Sequence, residues 1–211
     1  MNLFDNTLRD GGNVVGHGFS AELTVSIVKG LLGAGIQDIE LGNCKGIGAY
    51  EKLQATKALS DREYLKILEP YVSQGRLGMF LMAKLADETL TRTAKDGGLT
   101  FLRVGANAGD GAGSVQAVEL VKKAGLICRY SLMKAYVSTP EELAREAKML
   151  QNAGVDMITI MDSAGTMFPQ EAVSYVKALK AAVTIPVGFH GHSNLGLSQA
   201  NALAAVAAGA D

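Results

Sequence analysis

One short signature recurs along this chain and limits what it can fold into. It occurs as Gly33-Ala-Gly-Ile-Gln-Asp-Ile, Asp96-Gly-Gly-Leu-Thr, Lys123-Ala-Gly-Leu-Ile and Asn152-Ala-Gly-Val-Asp-Met-Ile. Glycine supplies the left-handed residue that ends a helix, and the apolar run after it enters a sheet. Helical patterns fill the intervals. They run over 23–32 after the cap Ser20, over 50–73 with a break near Ser60-Asp61, and after Asp87. They continue over 114–124, after Thr139-Pro140, and from Pro169. Strands are expected within 2–10, at 37–41, 77–82, 99–104, 126–133 and 155–160, and at 186–189 with two histidines at its end. Strict alternation of strand and helix argues for parallel βα units. The glycine turns precede the strands and the unusual polar residues follow them. That arrangement predicts an α/β fold of the TIM (β/α)-barrel type, whose chemistry sits on the loops after the strands.

Seven strands fall short of the eight that close such a barrel, which typically takes about 250 residues. The last residues, Ala207-Ala-Gly-Ala-Asp211, repeat the join signature just where an eighth strand would begin. Residues 1–211 are therefore expected to form a single barrel domain that lacks its eighth βα unit, as in a C-terminally shortened form of a longer enzyme.

Lysine and arginine (20) nearly balance aspartate and glutamate (21), which argues against a broad basic surface for nucleic acid or anionic membrane. Cys44 and Cys128 do not form a disulfide framework, and Met1 leads into a polar segment without a signal core. No apolar stretch is long enough to span a bilayer. A cytoplasmic protein is expected.

His190 and His192 stand two apart on the seventh strand, so both imidazoles leave the same face. Two neutral imidazoles can hold a divalent cation when an oxygen ligand faces them; otherwise they form a hydrogen-bonded pair at a loop mouth. In a barrel the ends of strands one and seven are near neighbours. Asp10 is then the natural oxygen ligand, unless it serves only as a turn residue before Gly11-Gly12. Arg9 beside it could clamp an oxyanion or form an ion pair at the barrel end. Glu40, Asn43, Arg103, Lys134 and Asp162 end other strands and could line the same cavity or make salt bridges. The glycine-rich stretch 105–113 lacks a phosphate-binding fingerprint and is expected to be a flexible loop.

Two motifs in the right order, Thr7-Leu-Arg-Asp-Gly11 and His190-Gly-His-Ser-Asn-Leu-Gly-Leu-Ser-Gln-Ala-Asn201, resemble the signatures of the DRE-TIM (HMGL-like) metallolyases. That family contains 4-hydroxy-2-oxovalerate aldolases, hydroxymethylglutaryl-CoA lyases and isopropylmalate synthases. Asp162-Ser-Ala-Gly165 looks most like the aldolase branch. The resemblance implies that Asp10, His190 and His192 bind Mn2+ or Mg2+, with Zn2+ the other option, and that Arg9 stabilises an enolate. It implies cleavage of a 4-hydroxy-2-oxo acid to pyruvate and an aldehyde. Asn13, Glu40, Lys134 and Asp162 would meet the small 2-oxo acid, and a homodimer or a partner dehydrogenase are the assemblies it suggests.

The chain departs from the aldolase pattern at Asn13, where those enzymes place a histidine base. His17 could take its place, because imidazole exchanges protons near neutral pH, or could be an exposed loop histidine. The alternatives are a Claisen-type acyl-CoA lyase or synthase, and a catalytically inactive barrel acting as an assembly partner.

Overall fold

The computed structural model describes residues 2–54 and 56–211. They divide into two compact units, residues 2–104 with 120–127, and residues 105–119 with 128–211. The first carries β1 (Phe4–Asp5), α1 (Gly12–Val15), α2 (Ala21–Gly33), β2 (Asp38–Leu41), α3 (Ala49–Lys52), α4 (Asp61–Leu68), β3 (Arg76–Met82) and α5 (Glu88–Asp96). It also holds the first residues of β4 (Phe101–Asn107) and the end of α6 (Gly111–Lys123). The second carries β5 (Ile127–Met133), α7 (Pro140–Asn152), β6 (Met157–Asp162), α8 (Pro169–Ala182), β7 (Val187–Gly191) and α9 (Ser198–Ala207). Among the described residues there are seven strands, as the recurrent join predicts.

In the first unit β1 pairs with β2 and β2 with β3, both parallel, and β4 lies next to β3. In the second, β5 pairs with β6 and β6 with β7, again parallel. The joins behave as their composition requires: Gly35, Gly98, Gly125 and Gly154 all have positive φ, at 85°, 79°, 71° and 107°. A side chain there would meet the carbonyl that follows, so only glycine turns the chain from helix to strand without strain.

Helix starts follow their caps. Ser20 Oγ accepts the Leu23 N–H, Asp87 accepts the Leu90 N–H, and Ser60 and Thr139 form reciprocal capping boxes with Glu63 and Glu142. Interior-facing strand residues such as Ile39, Leu41, Leu77, Leu102, Ile158 and Ile160 are fully buried and fill the cores of their units. Among the described residues no helix is long and apolar enough to cross a membrane.

Three expectations are corrected. The first strand is only two residues long, because Asp5 accepts the Thr7 N–H and hydroxyl and the Arg9 and Asp10 amides both turn back onto the Asn6 carbonyl. Arg9 and Asp10 therefore ride on a turn. The break expected near Ser60-Asp61 is present, α4 starting at the capping box of Ser60, but the helix before it, α3, already ends at Lys52. The expected loop at 105–113 is mostly regular: Gly105 to Asn107 belong to β4, and Gly111 already opens α6. Residues 108–110 between them are tied down, the Gly109 amide donating to the carboxylate of Glu146 at 2.7 Å.

Candidate functional site

In the first unit the turn after β1 holds Arg9 against the end of β2. Arg9 Nε donates to Glu40 Oε1 at 2.6 Å. Arg103, from β4, donates to the same carboxylate through Nε (2.7 Å to Oε2) and Nη2 (2.6 Å to Oε1). Glu40 and Arg103 are fully buried and Arg9 nearly so. Both guanidiniums lie over the ring of Phe80, at 4.8 and 5.2 Å from its centroid, which places cations on the negative face of the ring. Burial pushes the Glu40 carboxyl up, but the charges and hydrogen bonds of Arg103 and Arg9 outweigh it and hold the pKa at about 2.

The orientation of Asp10 follows from Arg9. Arg9 Nη1 donates to Asp10 Oδ1 at 3.0 Å, and Asn13 Nδ2 donates to the same oxygen at 2.9 Å and to the Asp10 carbonyl at 2.9 Å. Arg9 Nη2 is buried and has no hydrogen-bond partner among the described residues. A buried N–H in that state lacks an acceptor worth roughly 1–3 kcal/mol.

His17 sits beyond α1 with Nδ1 at 2.7 Å from the Gly18 carbonyl oxygen. A carbonyl only accepts, so Nδ1 carries the hydrogen and the neutral ring presents a lone pair at Nε2. Asn43 engages neither Arg9 nor Asp10 in any described bond. Its amide donates to Asp61 at 3.1 Å, and Asp61 also accepts the Gly48 N–H at 2.6 Å. This clasp closes the turn after β2. Burial raises the Asp61 carboxyl to about 6, with the Gly48 N–H opposing it. The sequence offered no signal for the clasp, since Asp61 reads only as the first residue of a capped helix.

In the second unit the two histidines stand together at the end of β7. Their rings stack with centroids 4.7 Å apart and planes 22° from parallel. His192 Nδ1 lies 2.8 Å from the carbonyl oxygen of Asp162, the last residue of β6. The Asp162 carboxylate is fully buried and accepts the Thr166 N–H at 3.2 Å and the Met167 N–H at 3.0 Å. The expectation that Asp162 lines a substrate cavity thus meets a side chain whose two oxygens both hold its own loop. Glu40 stands alike, with both oxygens on arginines. Lys134 is exposed at the end of β5 in the left-handed conformation (φ 54°), its N–H donating to Ser163 Oγ at 2.9 Å.

Comparison with known proteins agrees with this reading of motifs and fold. Residues 111–211 match the HMGL-like family model. The chain is 36% identical over 210 residues to a Moorella thermoacetica protein named 4-hydroxy-2-oxovalerate aldolase, covering 100% of this chain and 62% of that protein. Proteins of the same name from Carboxydothermus hydrogenoformans and Geobacillus genomosp. 3 are 35% and 34% identical over the same 100% of the chain and 62% of their own length. The chain thus spans about three fifths of the curated relatives it matches. Among solved structures, the carboxyl transferase domain of Rhizobium etli pyruvate carboxylase with pyruvate and biocytin aligns over 100% of this chain and 38% of its own, with a TM-score of 0.82 at 20% identity. The N-terminal domain of a Bacteroides vulgatus protein aligns over 100% of this chain and 71% of its own, with a TM-score of 0.82 at 21% identity. The expected likeness to HMGL-like metallolyases and the TIM-barrel type of fold are both borne out.

Proposed function

We propose that this chain is the catalytic part of a divalent-metal-dependent aldolase that cleaves a 4-hydroxy-2-oxo acid to pyruvate and an aldehyde. The observation that carries this reading is the buried, unpartnered Nη2 of Arg9, on a guanidinium otherwise clamped by Glu40 and Asp10. Such a donor, fixed in advance, suits an oxygen on which negative charge develops.

Asp10, His190 and His192 would hold the ion. These are the carboxylate and the two imidazoles of the two motifs that resemble the metallolyase signatures. Two features of the residues support the fit. One oxygen of Asp10 is held in place by two hydrogen bonds, and the hydrogen on His192 Nδ1 leaves its Nε2 as the donor. One carboxylate with two imidazoles can hold a divalent ion, and the resemblance to the metallolyases implies Mn2+ or Mg2+. When bound, the ion supplies Lewis acidity toward the 2-oxo and carboxylate oxygens of the substrate.

The remaining steps belong to the side chains. His17 Nε2 takes the proton of the 4-hydroxyl, the bond between carbons 3 and 4 breaks, and the aldehyde leaves. The electron pair stays on the pyruvate fragment as an enolate, and Arg9 Nη2 donates to its oxygen. Protonation at carbon 3, with loss of the proton gained by His17, then gives pyruvate and restores the base. Asn13 does not act as the base, because its amide cannot accept a proton near neutral pH and already donates to Asp10. Lys134, the exposed cation at the end of β5, is assigned to recruiting the substrate carboxylate. The names of the relatives favour this reading over acyl-CoA chemistry.

The test is Mn2+ binding by the parent and by Asp10→Ala and His192→Ala, followed by metal-dependent exchange of pyruvate methyl protons with deuterium. Binding by the parent that both substitutions abolish, together with exchange, is expected. A parent that takes up no divalent ion would sink the proposal.

A further inference from the structure

We propose that Asp162 is a positioning residue that sets the tautomer of His192, and through it the donor atom offered to a cation. The inference rests on the metal reading above for its consequence, but not for its geometry.

Three N–H groups converge on the Asp162 carbonyl oxygen. They are His192 Nδ1 at 2.8 Å, the His192 main-chain N–H at 3.3 Å and the Gly165 N–H at 3.1 Å. Because a carbonyl cannot donate, the neutral imidazole must carry its hydrogen on Nδ1 and its lone pair on Nε2. In water the other tautomer of a free imidazole is open to it; here the Asp162 carbonyl oxygen selects the form with the hydrogen on Nδ1.

The direction of that oxygen is set by the loop after β6. The Asp162 carboxylate takes the Thr166 and Met167 amides, four and five residues ahead, and so bends residues 163–167 back over its own carbonyl. Asn201, fully buried on α9, closes the same loop from the other end, Nδ2 donating to the Met167 carbonyl at 2.7 Å. Gly165 lies directly against β7, where an added Cβ would stand 2.6 Å from the His192 oxygen and 2.6 Å from the Asn194 nitrogen. Leu195 N donates to the Gly165 carbonyl at 3.2 Å. Loop and strand end are interlocked at backbone level, so a shift of the loop moves the acceptor that the ring depends on. Groups that orient a histidine ligand in this way typically change metal affinity by about 10- to 100-fold when removed.

The experiment uses the whole chain labelled with 15N-histidine, free of metal, with the His192 signals assigned by difference against His192→Gln. Long-range proton–nitrogen correlation reads the tautomer, and a Mn2+ titration reads affinity. In the parent His192 is expected to carry its hydrogen on Nδ1. In Asp162→Asn, whose amide can accept only one of the two loop N–H groups, the signal should move toward the Nε2-protonated form and Mn2+ affinity should fall about 10- to 100-fold. A parent ring protonated on Nε2, or a variant that keeps both the parent tautomer and the parent affinity, overturns the proposal. A parent that shows the expected tautomer, lost in the variant, yet binds no Mn2+ supports the positioning role while refuting the metal reading. If Asp162→Asn does not fold, Asn201→Ala loosens the same loop through Met167, and an unchanged tautomer there overturns the inference.

Discussion

Arg9 and Arg103 reach the same oxygen of Glu40, each at 2.6 Å, so one buried carboxylate fixes the position of the guanidinium that flanks Asp10. The folded-state pKa of Glu40 is about 2 against an ordinary 4.5. A lowered carboxylate pKa contributes stability that is fully present above 4.5 and is lost as pH falls toward 2. That contribution is on the order of 3 kcal/mol, because each tenfold change in proton affinity is worth about 1.36 kcal/mol. Glu40→Gln removes the buried counter-charge that two guanidiniums share, although Arg9 keeps Asp10, and should destabilise the chain by about 3–5 kcal/mol, read as a lower urea midpoint at constant slope.

Asp61 has the opposite dependence. Its pKa is raised from 3.8 to about 6, chiefly by burial, so the folded state keeps its proton longer than the unfolded chain. The corresponding stability is complete below 3.8 and is lost as pH rises through 6, by roughly 3 kcal/mol at most. Urea titrations between pH 4 and pH 7 should show this fall in the parent and a flatter profile in Asp61→Asn. An equally steep fall in the variant would assign the dependence to another group.

Asn13 donates to Asp10 Oδ1 from an exposed position, so Asn13→Ala removes an orienting hydrogen bond and little packing. Its stability cost should stay within about 1 kcal/mol. Its effect on Mn2+ affinity should be larger, about tenfold or more, as for other groups that orient a ligand. Calorimetric titration beside thermal unfolding separates the two.

Gly165→Ala should be among the most damaging single changes in the second unit. The residue sits at φ 64°, and the new methyl would fall 2.6 Å from backbone atoms of His192 and Asn194 that have no flexible end to move aside. A loss above about 3 kcal/mol is expected, from the left-handed conformation and the steric clash together. Near-parental stability in a thermal melt would mean that the loop can leave β7, and would weaken the positioning role of Asp162 as well.

Much of this protein was legible in the chain itself, for local reasons. The joins at Gly35, Gly98, Gly125 and Gly154 could be read because φ above zero is a property of one residue, and the caps at Ser20, Ser60, Asp87 and Thr139 because each bond spans three positions. The alternation of these signals led to parallel βα units, and the spacing of His190 and His192 placed both rings on one side of β7. What the chain left open was where each polar side chain spends its hydrogen bonds. Glu40 and Asp162 end strands as a substrate-lining residue would, yet one is taken by Arg9 and Arg103 and the other by the amides of its own loop. Asn43 pairs with Asp61 across 18 positions and Arg103 with Glu40 across 63, separations at which no pattern in the sequence names the partner. Residue type and spacing determined the elements and the chemistry available to them. Only tertiary packing decided which of those groups are used up holding the framework, and which, like Arg9 Nη2, lack a partner among the described residues.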